Sequence, residues 1–210
     1  MKRRYIIYCV LSVLIGLDAI SMFLFPRMHG SIDKPVLYLY PEEDISVKVS
    51  FKNPSFLTTT YPKYNGGWNV FVDKSGNIND GKNNYYALYW EEKATKKESF
   101  KEGFYVEKDN AIEFLEEKLS IIGLNDRERN EFIMYWLPIL EDNNKSLVHF
   151  ELTDEKQKTN ELIIDPKPDS LLRVTMHVKK VNKKTNIKEQ TLKTFNRVGF
   201  TAVEWGGIVE

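Results

Sequence analysis

The sequence predicts an α+β domain: a mostly antiparallel β-sheet or sandwich with an inserted two-helix hairpin, preceded by one N-terminal transmembrane helix. Three observations lead to this prediction. Residues 5–25 are almost entirely apolar, residues 110–141 show helical periodicity between capping signals, and the segments on either side of that pair alternate apolar with polar residues. Runs of strands separated by a helical pair are typical of α+β domains.

The N-terminal segment has the length and composition of a membrane-spanning helix. It runs from Tyr5 to Phe25, and a helix of that length extends roughly 32 Å, enough to cross the hydrocarbon core of a bilayer. Asp18 is its only charged residue, and the basic residues 2–4 before it keep the N-terminus in the cytoplasm by the positive-inside rule. The sequence therefore predicts a signal anchor at 1–25, a linker at 26–33 and an extracytoplasmic domain at 34–210.

A cleaved signal peptide is the alternative interpretation of this segment. Residues 2–4 would be its basic region, and Ala19 and Ser21 the small residues before a cleavage site. The apolar run resumes after Asp18, which favours a retained anchor, although both interpretations export residues 34–210. A contact between Asp18 and a second membrane helix would instead indicate an envelope assembly factor that acts through its membrane helix.

Composition excludes several classes of function. Cys9, the only cysteine, lies in the apolar segment, so the exported part has no disulfide and no thiolate chemistry. Basic and acidic residues number 30 each, which leaves no excess positive charge to attract nucleic acid. The abundance of Lys, Asn and Ile favours a bacterial exported protein, and aromatic residues, at 13%, favour a β-rich core or a binding face.

The first strand is predicted at residues 34–41, KPVLYLYP, with a proline near each end. Because Pro35 cannot donate a backbone hydrogen bond, it favours an edge strand or a strand start. Period-two alternation predicts further strands at residues 45–51 and 68–72, and the aromatic run YYALYW predicts another at 85–90.

Capping signals mark the two helices. Asn110 and Glu113 have capping-box spacing, and Gly123 is placed to end the first helix. Asn125 and Glu128 repeat the box at the start of the second helix.

The second helix is predicted to be buried on most sides, with Phe132, Trp136 and Leu140 on one face. Pro138 should break or kink it near its end. Beyond it the pattern predicts a solvated connector at 155–161 and strands at 148–152, 172–178, 190–195 and 198–205.

Three motifs resemble those of an uncharacterised family of exported microbial domains. They are KPVLYLYP at residues 34–41, YWLP at 135–138 and VEWGG at 203–207, in that order. The resemblance covers nearly the whole exported domain. It implies the extent of the domain and carries no known activity.

Carboxylates beside aromatic residues are the strongest hints of chemistry. Paired carboxylates serve glycoside hydrolysis, and aromatic rings stack on sugars, whereas the alternative is that the tryptophans are core and the acids pair with Arg173 or Arg197. The candidate catalytic residues are Glu91, Glu141 and Glu204, and the candidate binding residues are Tyr38, Tyr40, Tyr89, Trp90 and Trp205.

No motif indicates a metal, a cofactor or a nucleophile. His149 and His177 lie on the polar sides of predicted strands, where surface positions are expected; they could meet at a metal only if those strands are neighbours with an acid nearby. The sequence thus favours a non-enzymatic, membrane-tethered binding or structural module of the cell envelope, with an envelope protein or a cell-wall glycan as partner. The alternative is a carboxylate-dependent glycan hydrolase.

Overall fold

The computed structural model describes residues 31–94 and 97–210, and it confirms a mixed α+β fold with mostly antiparallel sheets. Within these residues it contains thirteen strands and three α-helices, besides short 3-10 turns at Pro54–Phe56 and Lys108–Asn110. In chain order the elements are β1 (Ser31–Tyr40), β2 (Ile45–Phe51), β3 (Leu57–Tyr61), β4 (Trp68–Val72), β5 (Ile78–Asn79), β6 (Asn84–Tyr85), β7 (Leu88–Lys93), β8 (Glu102–Glu107), α1 (Ala111–Ile122), α2 (Asp126–Asn143), β9 (Lys145–Leu152), α3 (Thr153–Thr159), β10 (Leu162–Asp165), β11 (Ser170–Lys180), β12 (Lys188–Glu189) and β13 (Thr201–Val209).

The strands form two sheets. The larger sheet has eight strands in the order β12-β8-β9-β11-β13-β1-β7-β3, and the smaller has five in the order β10-β2-β4-β5-β6. Among the described residues, neighbouring strands are antiparallel except for the pairs β11–β13 and β12–β8.

The larger sheet is the middle layer of the domain, because its strands send alternate side chains to two separate cores. On β1, Val36 and Tyr38 pack with α1 and α2, whereas Leu37 and Leu39 pack against the smaller sheet. The helices thus cover one face of the larger sheet, and the smaller sheet covers part of the other.

The position of β1 corrects one prediction. β1 pairs with β13 on one side and β7 on the other, so it is neither an edge strand nor a strand that begins at Pro35. Both pairings slip by one residue beside Pro35, and Lys34 has a φ of 54°, which together describe a β-bulge. A bulge tolerates a proline inside a sheet because the ladder of hydrogen bonds is already interrupted there.

Helix α2 confirms its predicted start and is not broken at Pro138. The Asn125 side chain accepts from the Glu128 backbone and Glu128 reaches back to Asn125, a complete capping box. Of the predicted break or kink at Pro138, the break does not occur, because the helix continues to Asn143. The carbonyl that Pro138 leaves without a donor belongs to Met134, which is 70% exposed and can bond water.

Helix α1 ends as predicted at Gly123, whose φ is 105° and whose amide bonds the Leu119 and Ser120 carbonyls. Its start differs, since Asn110 precedes the helix without a side-chain hydrogen bond and the predicted capping box is therefore absent.

Two connections differ from the prediction. Residues 153–159 form the helix α3, with Lys156 fully buried, where a solvated connector was expected. The strand predicted at residues 190–195 is not formed; instead the side-chain amide of Gln190 bonds both the amide and the carbonyl of Phe150, as a neighbouring strand would.

The predicted anchor at residues 5–25 lies outside the described residues. Among those that are described, no helix is both long and apolar enough to cross a membrane.

Candidate binding surface

Tyr38 and Tyr40 lie near the end of β1, on the face of the larger sheet that carries the helices. Their rings stack with centroids 6.2 Å apart and planes within 7°. Tyr38 is buried and Tyr40 is half-buried, so the stacked pair extends from the core to the surface.

The first turns of α2 set two carboxylates against these tyrosines. The Tyr38 hydroxyl donates to Glu131 Oε2 at 2.7 Å, and Arg127 Nε donates to Glu131 Oε1 at 3.1 Å. Glu128, fully buried, accepts hydrogen bonds from the Arg197 guanidinium. Each carboxylate therefore has an arginine partner.

Burial, followed by the nearby carboxylates, raises the pKa of both tyrosines well above its ordinary value. For Tyr38 the carboxylate is Glu131, and for Tyr40 it is Glu128. Both phenols thus stay protonated and act as hydrogen-bond donors at any physiological pH.

The exposed part of this cluster consists of an aromatic ring and two guanidinium groups. Tyr86 is 51% exposed, and the Arg127 guanidinium lies 4.5 Å from its ring centroid. Arg197 lies 5.5 Å from the ring centroid of Tyr40. We call this set the tyrosine–arginine surface; it comprises Tyr38, Tyr40, Tyr86, Arg127, Glu128, Glu131 and Arg197.

The other predicted binding residues are further from solvent. Trp90 and Trp205 have no exposed area, so neither ring has a face on which a sugar could stack. Trp68 and Trp136 are also buried, and the interpretation of all four tryptophans as core residues is confirmed. Tyr89 is half-buried and donates to Glu91 Oε1 at 2.6 Å.

The three candidate catalytic acids do not form one group. Glu204 is buried against Arg173, on the face of the larger sheet opposite the helices. Glu91 shares a face of β7 with Tyr89, which packs on the helical side, and Glu141 is exposed on α2. Because the sheet separates Glu204 from the other two, the three carboxylates offer no common place for a substrate.

A buried ionic network lies between α3 and the larger sheet, and most of it was not predicted from the sequence. Lys156 Nζ lies 2.6 Å from Glu92 Oε1, and Asn160 donates to Glu92 Oε2 at 2.6 Å. Arg173 pairs with Glu204 and also donates to the Asn160 carbonyl at 2.6 Å. The available sequence signal was the pattern of α3 itself, with acids in its first turn and lysines in its last.

The two strand histidines are buried, so the prediction of surface positions is wrong. His149 and His177 face each other across β9 and β11, with ring centroids 6.1 Å apart. His177 Nδ1 lies 2.9 Å from Glu210 Oε1, and its Nε2 lies 3.5 Å from Glu151 Oε2. No group of three or more His, Cys, Asp or Glu residues suited to a metal occurs within residues 31–94 and 97–210.

The fold and its surface thus define a three-layered α+β domain with a tyrosine- and arginine-rich contact surface. No protein-family model matches the chain, and no solved structure does. Among curated proteins the chain is similar to an uncharacterised protein in the bglA 3' region of Butyrivibrio fibrisolvens, with 39% identity over 61 residues. The match covers 28% of this chain and 64% of that protein, so the chain spans less than two thirds of its relative.

Proposed function

We propose that the chain is a membrane-tethered, extracytoplasmic binding module of the cell envelope, and that it docks an envelope protein through the tyrosine–arginine surface. Residues 5–25 serve as its single-pass anchor, with the N-terminus in the cytoplasm. The observation that carries the docking proposal is the exposed pair of Tyr86 and Arg127, held in place by Glu131.

The arrangement of the rings favours a protein partner over a sugar at this surface. Sugar stacking requires an uncovered ring face, but Arg127 covers Tyr86, while Tyr40 stacks on Tyr38 and lies beneath Arg197. Tyrosine and arginine are enriched at the energetic centres of protein interfaces. The ion pairs also hold the two guanidinium groups in position before binding, which lowers the entropy lost on docking.

Site-specific photo-crosslinking in the native membrane tests this proposal. A photoreactive amino acid replaces Tyr86 in the full-length chain, and Lys183, exposed on a loop, receives the same residue as a control. We expect one envelope protein to crosslink at position 86 and not at 183, and Arg127→Ala to reduce that product. Equal products at both positions, or a product that ignores Arg127→Ala, would contradict the docking proposal.

The proposed topology has a separate test that uses the scarcity of cysteine. Cys9 is the only native cysteine, so Cys9→Ser combined with Lys183→Cys leaves a single thiol in the domain. A membrane-impermeant maleimide should label this variant on intact cells with a permeable outer layer. Labelling that requires lysis would place the domain in the cytoplasm and overturn the topology.

A further inference from the structure

The outer face of the smaller sheet, which points away from both cores, holds a groove of about 540 Å³. Its walls come from β2, β4, β5 and β10 and from the loops after β5 and β10. Pockets of this size are within the range that binds small ligands. The side chains that matter are Ser46, Lys48, Asn69, Phe71, Asn79 and Asp165.

Strand register arranges these side chains in two rows across the groove. Asp165 is opposite Lys48, which is opposite Asn69, so that a carboxylate, an ammonium and an amide follow one another over three strands. Strands lie about 4.8 Å apart, and the row is therefore roughly 10 Å long. Ser46, Phe71 and Asn79 form the second row beside it.

Phe71 supplies the apolar element of the groove. It is 46% exposed, and among the described residues it has no aromatic or cationic partner over its ring. This distinguishes it from the tyrosines of the tyrosine–arginine surface, whose rings are already stacked or covered. The ring can therefore receive the C–H face of a sugar.

The polar groups beside Phe71 are equally open to a ligand. Within the described part of the chain, the heads of Lys48, Asn69 and Asp165 form no side-chain hydrogen bond or ion pair with other residues. Asp80, at the rim, already has hydrogen-bond partners, since its carboxylate accepts hydrogen bonds from the backbone amides of Lys82 and Asn83. Lys48 therefore faces two carboxylates, those of Asp165 and Asp80, and the lining carries a formal net charge of −1.

We propose that this groove binds a neutral oligosaccharide. One sugar ring stacks on Phe71, while Asn69, Lys48 and Asp165 bond hydroxyl groups of the next ring along the first row. The net negative charge of the lining disfavours a polyanion, and a ligand with many hydroxyl groups satisfies an amide, an ammonium and a carboxylate together. This proposal is independent of the protein-docking surface, which lies at the helical layer.

Affinity measurements on the full chain in detergent test it. Calorimetric titration uses soluble neutral oligosaccharides built from glucose, xylose, mannose and N-acetylglucosamine, with polyglutamate and polyphosphate as anionic probes. We expect at least one neutral oligosaccharide to bind, and Phe71→Ala and Asn69→Ala each to weaken it about tenfold, near 1.4 kcal/mol. Ile163→Ala is the matched control, because Ile163 is 44% exposed on the same sheet and outside the groove.

Each remaining outcome overturns the proposal. These are the failure of every neutral oligosaccharide to bind at millimolar concentration, binding that neither Phe71→Ala nor Asn69→Ala weakens, a preference for either polyanion, and an equal loss of binding in Ile163→Ala. Unfolding midpoints confirm that the variants are folded, which is expected because both substituted side chains are exposed.

Discussion

Arg173 and Glu204 form an ion pair from which solvent is excluded, with side-chain exposures of 0% and 1%. The Arg173 guanidinium also donates to the Gln157 side chain and the Asn160 carbonyl, both at the end of α3. Charges taken out of water need this many partners to offset their lost hydration. The pair therefore joins β11, β13 and α3.

Glu204→Leu should destabilise the domain by about 3–5 kcal/mol, because it leaves the Arg173 charge buried without its carboxylate. The double variant with Arg173→Met should recover much of that loss, since neither charge then remains. Urea unfolding measures both free energies. Glu141→Gln is the control, because Glu141 is exposed and should change stability by less than about 0.5 kcal/mol. Equal losses in Glu204→Leu and the double variant would contradict this account.

His177 should make stability depend on pH. Burial lowers its pKa, but hydrogen bonds and charge interactions with Glu151 and Glu210 outweigh burial and raise the pKa above its ordinary value. The stability it contributes is therefore complete below about pH 6.5, the ordinary pKa of histidine, and is lost as the pH rises through the raised value. His149 and Glu98 are further titratable groups nearby.

Urea midpoints measured from pH 6 upwards should fall in the native chain and stay level over that window in His177→Gln. Glu210 has a lowered pKa, so its contribution belongs to the acid range and is lost only as the pH falls. If the urea midpoints of the native chain and of His177→Gln changed in parallel above pH 6, His177 would not be the cause of the pH dependence.

The capping box of α2 should contribute more to the stability of the domain than the equivalent position of α1. Asn125 accepts a hydrogen bond from the Glu128 amide, whereas Asn110 makes no such bond. Asn125→Ala should therefore cost about 1 kcal/mol, and Asn110→Ala less than about 0.5 kcal/mol. Thermal unfolding of both variants checks the difference, and similar losses would show that the box at Asn125 is not formed.

Close packing of α2 on β13 depends on Gly207. A methyl group there would lie 2.7 Å from the Met176 carbonyl oxygen and closer still to the Trp136 ring. Gly207→Ala should destabilise the domain by about 1–3 kcal/mol through overpacking, as chemical denaturation would show. Trp136→Phe shortens the obstructing ring. It should therefore lower the free energy of unfolding less in the Gly207→Ala background than it does in the native chain. Strict additivity of the two changes would indicate that Gly207 matters for another reason.

The elements that the sequence predicted well are those controlled by local rules. Gly123 and the box at Asn125 act within one helical turn, and alternation along β1 or β11 needs only the pleat of a strand. The interior position of β1 was missed because strand order is set by partners far along the chain. Helix α3 was missed because Lys156 and Asn160 are polar, and only the acids of distant strands make their burial tolerable.

The candidate sites likewise combine residues that the local sequence indicates with residues that only the tertiary fold brings together. Tyr38 and Tyr40 were chosen as candidates because the sequence is rich in aromatic residues, but Arg127 and Glu131 join them only when α2 packs on β1. Phe71 was passed over as one outward residue of an alternating strand, because the groove forms only when β2, β5 and β10 assemble into one sheet with β4.

The three layers should unfold together. Strands β1, β7 and β13 contribute side chains to both cores, so neither core can be lost while the other keeps its strands. Each core holds two tryptophans: Trp68 and Trp90 beside the smaller sheet, and Trp136 and Trp205 beside the helices.

This arrangement allows each core to be observed alone. Trp68→Phe with Trp90→Phe leaves fluorescence from the helical side, and Trp136→Phe with Trp205→Phe leaves it from the other. In each variant the fluorescence midpoint should coincide with that of far-ultraviolet circular dichroism. A fluorescence transition that precedes the dichroism in either variant would show that the layers unfold separately.

The burial of Lys156 has a chemical consequence. Its amine is sealed beneath α3 at 2.6 Å from Glu92, while Lys158, two residues further on the same helix, is exposed. An acylating reagent can reach Lys158 at all times but Lys156 only when the helix lifts from the sheet. The ratio of the two modification rates therefore measures how often α3 opens, with both amines read from one peptide map.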